Sequence, residues 1–192
     1  IGKRMCPARM PLGEFGGNIA HSTGRHGLKI SDYFPVVDGD NLNCGEDEDG
    51  MTVSQPTTFR DFTAFKNVMF GIWGEFIVDV NFDDIKLLDH GIAGMEFAYI
   101  NGPQSKHAHS HFSNMKLIGR TNPDEKVALP SFGAGGFAQC ELDPHMSAVG
   151  SVTGCVHGIH LSGIASEVTY SNVHFANYEA ALWGCAWCVD FR

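Results

Sequence analysis

Polar and apolar positions alternate in four hexapeptides that share one further rule. "FRDFTA" (59–64), "FDDIKL" (82–87), "FSNMKL" (112–117) and "YSNVHF" (170–175) each read aromatic, any residue, Asp or Asn, apolar, any residue, apolar. Alternation with a period of two predicts strands. The Asp or Asn in the middle predicts a bent corner, because these short side chains tolerate a left-handed backbone and hydrogen-bond locally. The starts lie 23, 30 and 58 residues apart. In two units a valine, Val80 or Val168, precedes the aromatic by two.

A second pattern has a similar period. His-Gly-Ile/Leu occurs at His26-Gly27-Leu28, His90-Gly91-Ile92 and His157-Gly158-Ile159, with a related Gly71-Ile72-Trp73. The glycine spacings, 44, 20 and 67, are near two, one and three units of about 22 residues. Units of that length, with short strands and glycine corners, predict a solenoid whose turns cannot bury their apolar side alone. Without long helical patterns, that solenoid is an all-β, parallel β-helix with strands stacked about 4.8 Å apart. Phe59, Phe82, Phe112 and Tyr170 are then expected as one inward stack, and Phe62, Ile85, Met115 and Val173 as its neighbour. Asp61, Asp84, Asn114 and Asn172 are expected as a polar corner ladder. A β-sandwich is the alternative, but its strands would not repeat one pattern in one direction. "NYEAALWG" (177–184) is the one stretch that reads as a short helical turn.

The whole chain, 1–192, reads as one β-helical segment interrupted by insert loops at about 38–56, 100–111 and 119–150. Such projecting loops are where a solenoid carries function. No run of 18 apolar residues appears, so no segment reads as a transmembrane helix. The start, "IGKRMCPARMPLG", has neither an initiator Met nor the apolar stretch of a signal peptide. Neither terminus offers a polar cap for a solenoid end, so a piece of a larger extracellular chain is expected.

The composition is that of a globular protein, 43% hydrophobic and 18% charged, and its 23 glycines and 14 phenylalanines suit a turn-rich β fold. A net charge of −9 leaves no basic stripe to displace counterions from nucleic acid, and disfavours anionic membranes. Six cysteines, Cys6, Cys44, Cys140, Cys155, Cys185 and Cys188, point to an oxidising, extracellular compartment or to buried thiols. Cys140 and Cys155 make a loop-closing pair whose disulfide would contribute about 3 kcal/mol. Cys185 and Cys188 form a C-x-x-C without the βαβ context of a redox motif. They read as a local disulfide or as halves of two disulfides.

"NIAHSTGRHGLKI", "FRDFTAFKNVMFGIWGE", "LLDHGIAGMEFAYI" and "FANYEAALWGCAWC" together resemble the β-helical region of fibrocystin-like cell-surface proteins, of the pectin-lyase-like kind. Relatives of that family include cell-surface and secreted hyaluronan-degrading proteins. The resemblance runs from about Gly16 to Cys188 outside the inserts, and is most specific at His21 to Leu28 and in "FTAFKN". It implies a right-handed parallel β-helix in a large, mostly extracellular chain. It implies either a surface protein without activity or one that binds or cleaves hyaluronan. No established catalytic set of the family maps onto these residues.

Several side chains are candidates for chemistry. "HAHSH" places His107, His109 and His111 at alternate positions, one face of a strand, where imidazoles could share Zn2+. Glu96 is a candidate to orient them from elsewhere in the fold. The plainer reading is a polar loop. The acids of 38–49 (Asp38, Asp40, Glu46, Asp47, Glu48, Asp49) offer hard oxygen ligands for Ca2+, although Leu42 breaks the EF-hand spacing, and a solvated loop is the alternative. His21, Arg25, His26, Asp89 and His90 flank the glycine corners. Lining one outer face they could serve a polysaccharide, with His26, Asp89 and His90 as acid–base candidates. As neighbours on a strand, Asp89 and His90 would point to opposite sides. The plain alternative is a polar ladder that satisfies backbone groups. Arg25 and Trp73 are candidates for glycan contact. Trp73, Trp183 and Trp187 read equally as core or as caps between turns.

The sequence thus leads to a non-catalytic extracellular or cell-surface scaffold acting in assembly, adhesion or coating. Its partners would be neighbouring domains or chains, with a polysaccharide as a further partner, and neither nucleic acid nor membrane insertion is expected. A hyaluronan-type hydrolase or lyase, and a Ca2+- or Zn2+-dependent adhesion module, remain the alternatives.

Overall fold

Alternating apolar runs, punctuated by Gly, Asp and Asn, form ten strands. A computed structural model describes residues 12–31, 56–101, 109–119, 121, 157–165, 167–178 and 189–191. The strands are β1 (Asn18–His21), β2 (His26–Ile30), β3 (Thr57–Phe65), β4 (Phe70–Ile77), β5 (Val80–Leu88), β6 (Ala93–Ile100), β7 (Ser110–Ile118), β8 (His157–Ala165), β9 (Val168–Ala176) and β10 (Val189–Phe191). Among the described residues there is no helix. The six cysteines, the acids of 38–49, His107, Trp183, Trp187 and the expected helical turn, apart from its first two residues, lie outside the described residues.

Odd-numbered strands form one sheet, in the order β1-β3-β5-β7-β9. Even-numbered strands form the other, in the order β2-β4-β6-β8-β10. We refer to these as sheets A and B. Every ladder in both sheets is parallel. Successive strands therefore alternate between sheets, as parallel neighbours require a crossover rather than a hairpin. Antiparallel pairing, the basis of the sandwich alternative, is absent from the described residues.

The inward stacks lie in the expected register. Phe59 pairs with Phe82, Phe82 with Phe112, and Phe112 with Tyr170. Their ring centroids are 5.5, 5.2 and 5.4 Å apart, within the range where aromatic pairs add to burial. Phe62 pairs with Ile85, and Met115 with Val173. Sheet B closes the other side of this core with Ile72, Met95, Phe97, Ile159 and Leu161. Phe97 and Phe82 touch across the two sheets at 5.6 Å.

The corner ladder also lies where the hexapeptide pattern puts it. Asp61, Asp84, Asn114 and Asn172 have φ of 46°, 50°, 52° and 52°, and Gly17, one rung earlier in register, has 67°. Each strand of sheet A bends at this point, and the paired residues skip the position. Non-Gly residues other than Asn and Asp rarely hold such a conformation, which explains the choice.

Two expectations require correction. The three His-Gly triplets are not equivalent. Register aligns His26 with Phe70, Ala93 and His157, so the true column is Gly27, Gly71, Gly94 and Gly158. His90-Gly91-Ile92 precedes β6 and forms the corner before it. The insert placed at 100–111 is shorter, because β6 continues through Ile100 and β7 begins at Ser110.

Phe82 is fully buried among Phe59, Phe97 and Phe112. Phe82→Ala is expected to destabilise the chain by about 3–5 kcal/mol in urea unfolding, since the cavity cannot collapse between fixed rungs. A loss below about 1 kcal/mol would contradict the stacked core.

Candidate functional site

Three polar groupings concentrate the side chains with chemical capacity. The first is the corner between sheets A and B. Asn67, at the β3–β4 corner, accepts through Oδ1 from the Thr23 N–H (3.1 Å) and from the Thr23 hydroxyl (3.0 Å). His90 holds the matching place one rung on, where the Gly91 N–H donates to the Asn67 carbonyl (3.2 Å). Each of these side chains lies over a glycine. A Cβ on Gly27 would sit 2.7 Å from Asn67 Nδ2, and one on Gly71 would sit 2.5 Å from His90 Nε2. The glycine column is therefore a packing requirement of the corner.

His90 is only 3% exposed, and neither ring nitrogen has a hydrogen-bond partner. Burial pulls its pKa down to about 4, and the Ala64 carbonyl and the Asp89 charge oppose this only in part. Asp89 turns the other way. Its carboxylate accepts from the Thr121 N–H (2.5 Å) and hydroxyl (2.6 Å), with φ of 54° at Asp89 itself. Asp89 and His90 thus sit in a corner rather than on a strand, and do not act as a pair. His90 does not reach an outer face, contrary to expectation, because its ring fills the space left by Gly71.

The second grouping lies on sheet B, on the side away from the shared core. Register places Lys29, Trp73, Glu96 and His160 on successive rungs. Lys29 Nζ stands 5.0 Å from the Trp73 ring centroid, a cation–π contact. Glu96 Oε2 and His160 Nδ1 are 3.4 Å apart, both largely buried. His26 stacks on Phe70 and Trp73, at 5.4 Å from each. Burial, then the charges of Lys29 and Arg25, hold its pKa below the ordinary value. Arg25 is exposed beside it. His21 stands apart, stacked on Phe65 at 4.8 Å. Of the expected polysaccharide face, then, Arg25, His26 and Trp73 come together, while His21, Asp89 and His90 do not. Glu96 pairs with His160, whereas His109 and His111 take other partners.

The third grouping is the solvent side of sheet A. His109, just before β7, pairs through Nδ1 with Glu167 Oε2 at 2.5 Å. His111 Nδ1 meets the Thr169 hydroxyl at 2.8 Å, and its Nε2 meets the Ser171 hydroxyl at 2.9 Å. The Asn114 amide and the Ser113 hydroxyl both donate to Asp83 Oδ1 at 2.9 Å and hold the Asp83 carboxyl below its ordinary value. His109 contacts Glu167, the residue before β9, and His111 contacts β9. Among the described residues no group of three His, Cys, Asp or Glu side chains is placed to hold a metal.

Chemically, Ser171 and His111 form a hydroxyl–imidazole contact within proton-transfer reach. A hydroxyl, not a carboxylate, orients the ring, so an imidazolium there gains no counter-charge from that contact. Glu96 and His160 can share a proton, but in a largely buried position. Sequence reasoning missed both contacts because their partners are about 60 residues apart, joined only through register. The available signal was the spacing of the hexapeptides, which aligns His111 with Thr169 once the aromatics are superposed.

Comparison with protein-family models, with curated proteins and with solved structures found no match.

The glycine column gives a direct test. Gly71→Ala is expected to cost about 1–3 kcal/mol, read as a lower midpoint in thermal or urea unfolding, because the new methyl overlaps the His90 ring and the Gly94 carbonyl, 2.6 Å away. An unchanged midpoint would show that the corner is looser than these contacts.

Proposed function

We propose that the chain is a segment of a right-handed parallel β-helix that serves as a non-catalytic extracellular or cell-surface scaffold, in assembly, adhesion or coating. Support for the β-helix comes from the alternation of strands between two wholly parallel sheets and from side chains repeating in register. Right-handedness follows from the near-universal hand of parallel crossovers. The extracellular setting rests on the even cysteine count in a glycine-rich β chain. Likeness to fibrocystin-like surface proteins belongs to this proposal too.

One observation carries the scaffold reading. The polar side chains that could have done chemistry instead tie one rung to the next. Asn67 joins Thr23, Glu96 meets His160, His109 meets Glu167, His111 joins Thr169 and Ser171, and Asp89 fixes Thr121. An enzyme needs acid, base and charge converging on an open position. Side chains engaged between rungs stabilise a long surface and leave the lateral faces for partners.

A second reading, a polysaccharide-acting hydrolase or lyase, draws on sheet B, where Lys29 and Trp73 share a column with the Glu96–His160 pair and Arg25 lies beside His26. Incubation with hyaluronan followed by size chromatography separates the two. The scaffold reading expects an unchanged chain-length distribution, and shortened chains that disappear with Glu96→Gln would replace it with the enzyme.

A further inference from the structure

His90 is a buried base with no partner at a corner that has no spare room. Its ring lies against Gly71 so closely that a methyl group would not fit, and both nitrogens face protein rather than solvent. The elements around it offer little to an imidazolium. β3 contributes the Ala64 carbonyl, outside good hydrogen-bond geometry, β4 contributes Gly71, and the preceding corner contributes Asn67. Asn67 Nδ2 also lacks a partner, and as a donor it cannot stabilise a ring that has become a donor on both sides. Asp89 is the charged neighbour that favours protonation, yet its carboxylate is directed to Thr121. Lys66, exposed at the same corner, donates its N–H to the Leu88 carbonyl and adds positive charge.

We propose that the β5–β6 corner is an acid-sensitive latch, in which a proton taken from solvent by the His90 ring opens the turn at 89–92 while the stacked core stays closed. Closed, the corner excludes the cation, because an unpaired buried charge is far costlier than a neutral ring. Open, the ring is hydrated and takes up the proton at its ordinary affinity. The sign follows from that difference. The closed form is fully favoured above the ordinary histidine value and weakens as pH falls towards about 4. Between about pH 7.5 and 5, the opening equilibrium should rise roughly twentyfold to thirtyfold. The turn is suited to yield alone. Its backbone bonds run to neighbouring corners, from the Gly91 N–H to the Asn67 carbonyl and from the Ile92 N–H to the Met69 carbonyl, and it joins the two sheets without contributing to the aromatic stack.

The neighbouring rung supplies the control substitution. Asn67 occupies the equivalent place and does not titrate, so His90→Asn puts a corner-compatible side chain there. Hydrogen exchange read by mass spectrometry, corrected for intrinsic pH dependence, should show that large rise in peptides covering 86–94 of the unaltered chain. Peptides in β7 should change much less, and H90N should remove most of the rise at 86–94. An H90N protein with the original pH dependence would overturn the latch, as would a uniform rise across β3 to β7, which would mean global unfolding. The unaltered chain gives a check independent of any variant: the His90 ring resonances should titrate below about pH 5, and a midpoint above about 6 would end the proposal.

Discussion

Close approach of the backbone at one corner governs how these strands can stack. Gly27, Gly71 and Gly94 lie in a column where each would collide, if it bore a Cβ, with the carbonyl of the next glycine in the column, at 2.6–2.8 Å. Such contact leaves no room for slippage. Register is fixed at the corner, and every side chain further along each strand inherits it. A one-residue slip would turn Phe82 and Phe97 outward and Lys86 and Glu96 inward, so corner and core enforce the same alignment. The aromatic stack contributes the largest burial per side chain, beside a more numerous aliphatic core. Direction and spacing come from the glycines.

Polar side chains divide between the inside and the outside of this frame. Inside, at the corners, Asn67 and His90 stand in place of one another, and each fills the hollow above a glycine. Asn67 satisfies Thr23, whereas His90 satisfies nothing. Outside, short polar side chains link neighbouring strands of sheet A, and a mixed column of cation, indole, carboxylate and imidazole crosses sheet B.

Much of sheet A was legible in the sequence. Phe59, Phe82, Phe112 and Tyr170 announce one another because strands of period two repeat the same in–out order, and the Asp or Asn between them marks a left-handed residue that few other types accept. Sheet B was harder to read. Its strands carry varied residues such as Trp73, Glu96 and His160 at equivalent places, so no consensus emerges. The triplet His90-Gly91-Ile92 misled because it copies the letters of His26-Gly27-Leu28 without the geometry. Its histidine is four residues before the column glycine, Gly94, as Asn67 is before Gly71 and Thr23 before Gly27. That interval, a polar residue four ahead of glycine, was visible but masked by the louder triplet. Contacts such as Glu96–His160 depend on rungs separated by a long insert, and period alone does not specify which side chains meet there.

The bend of sheet A carries a polarity of its own. Asn172 gives its amide hydrogen to Asn114 Oδ1 at 2.7 Å, and Asn114 gives its own to Asp83. An amide both receives and passes on a hydrogen bond, while a carboxylate only receives. The relay therefore runs one way, from β9 towards β5, and terminates on the acid. The two directions along the sheet are therefore chemically unlike at this bend.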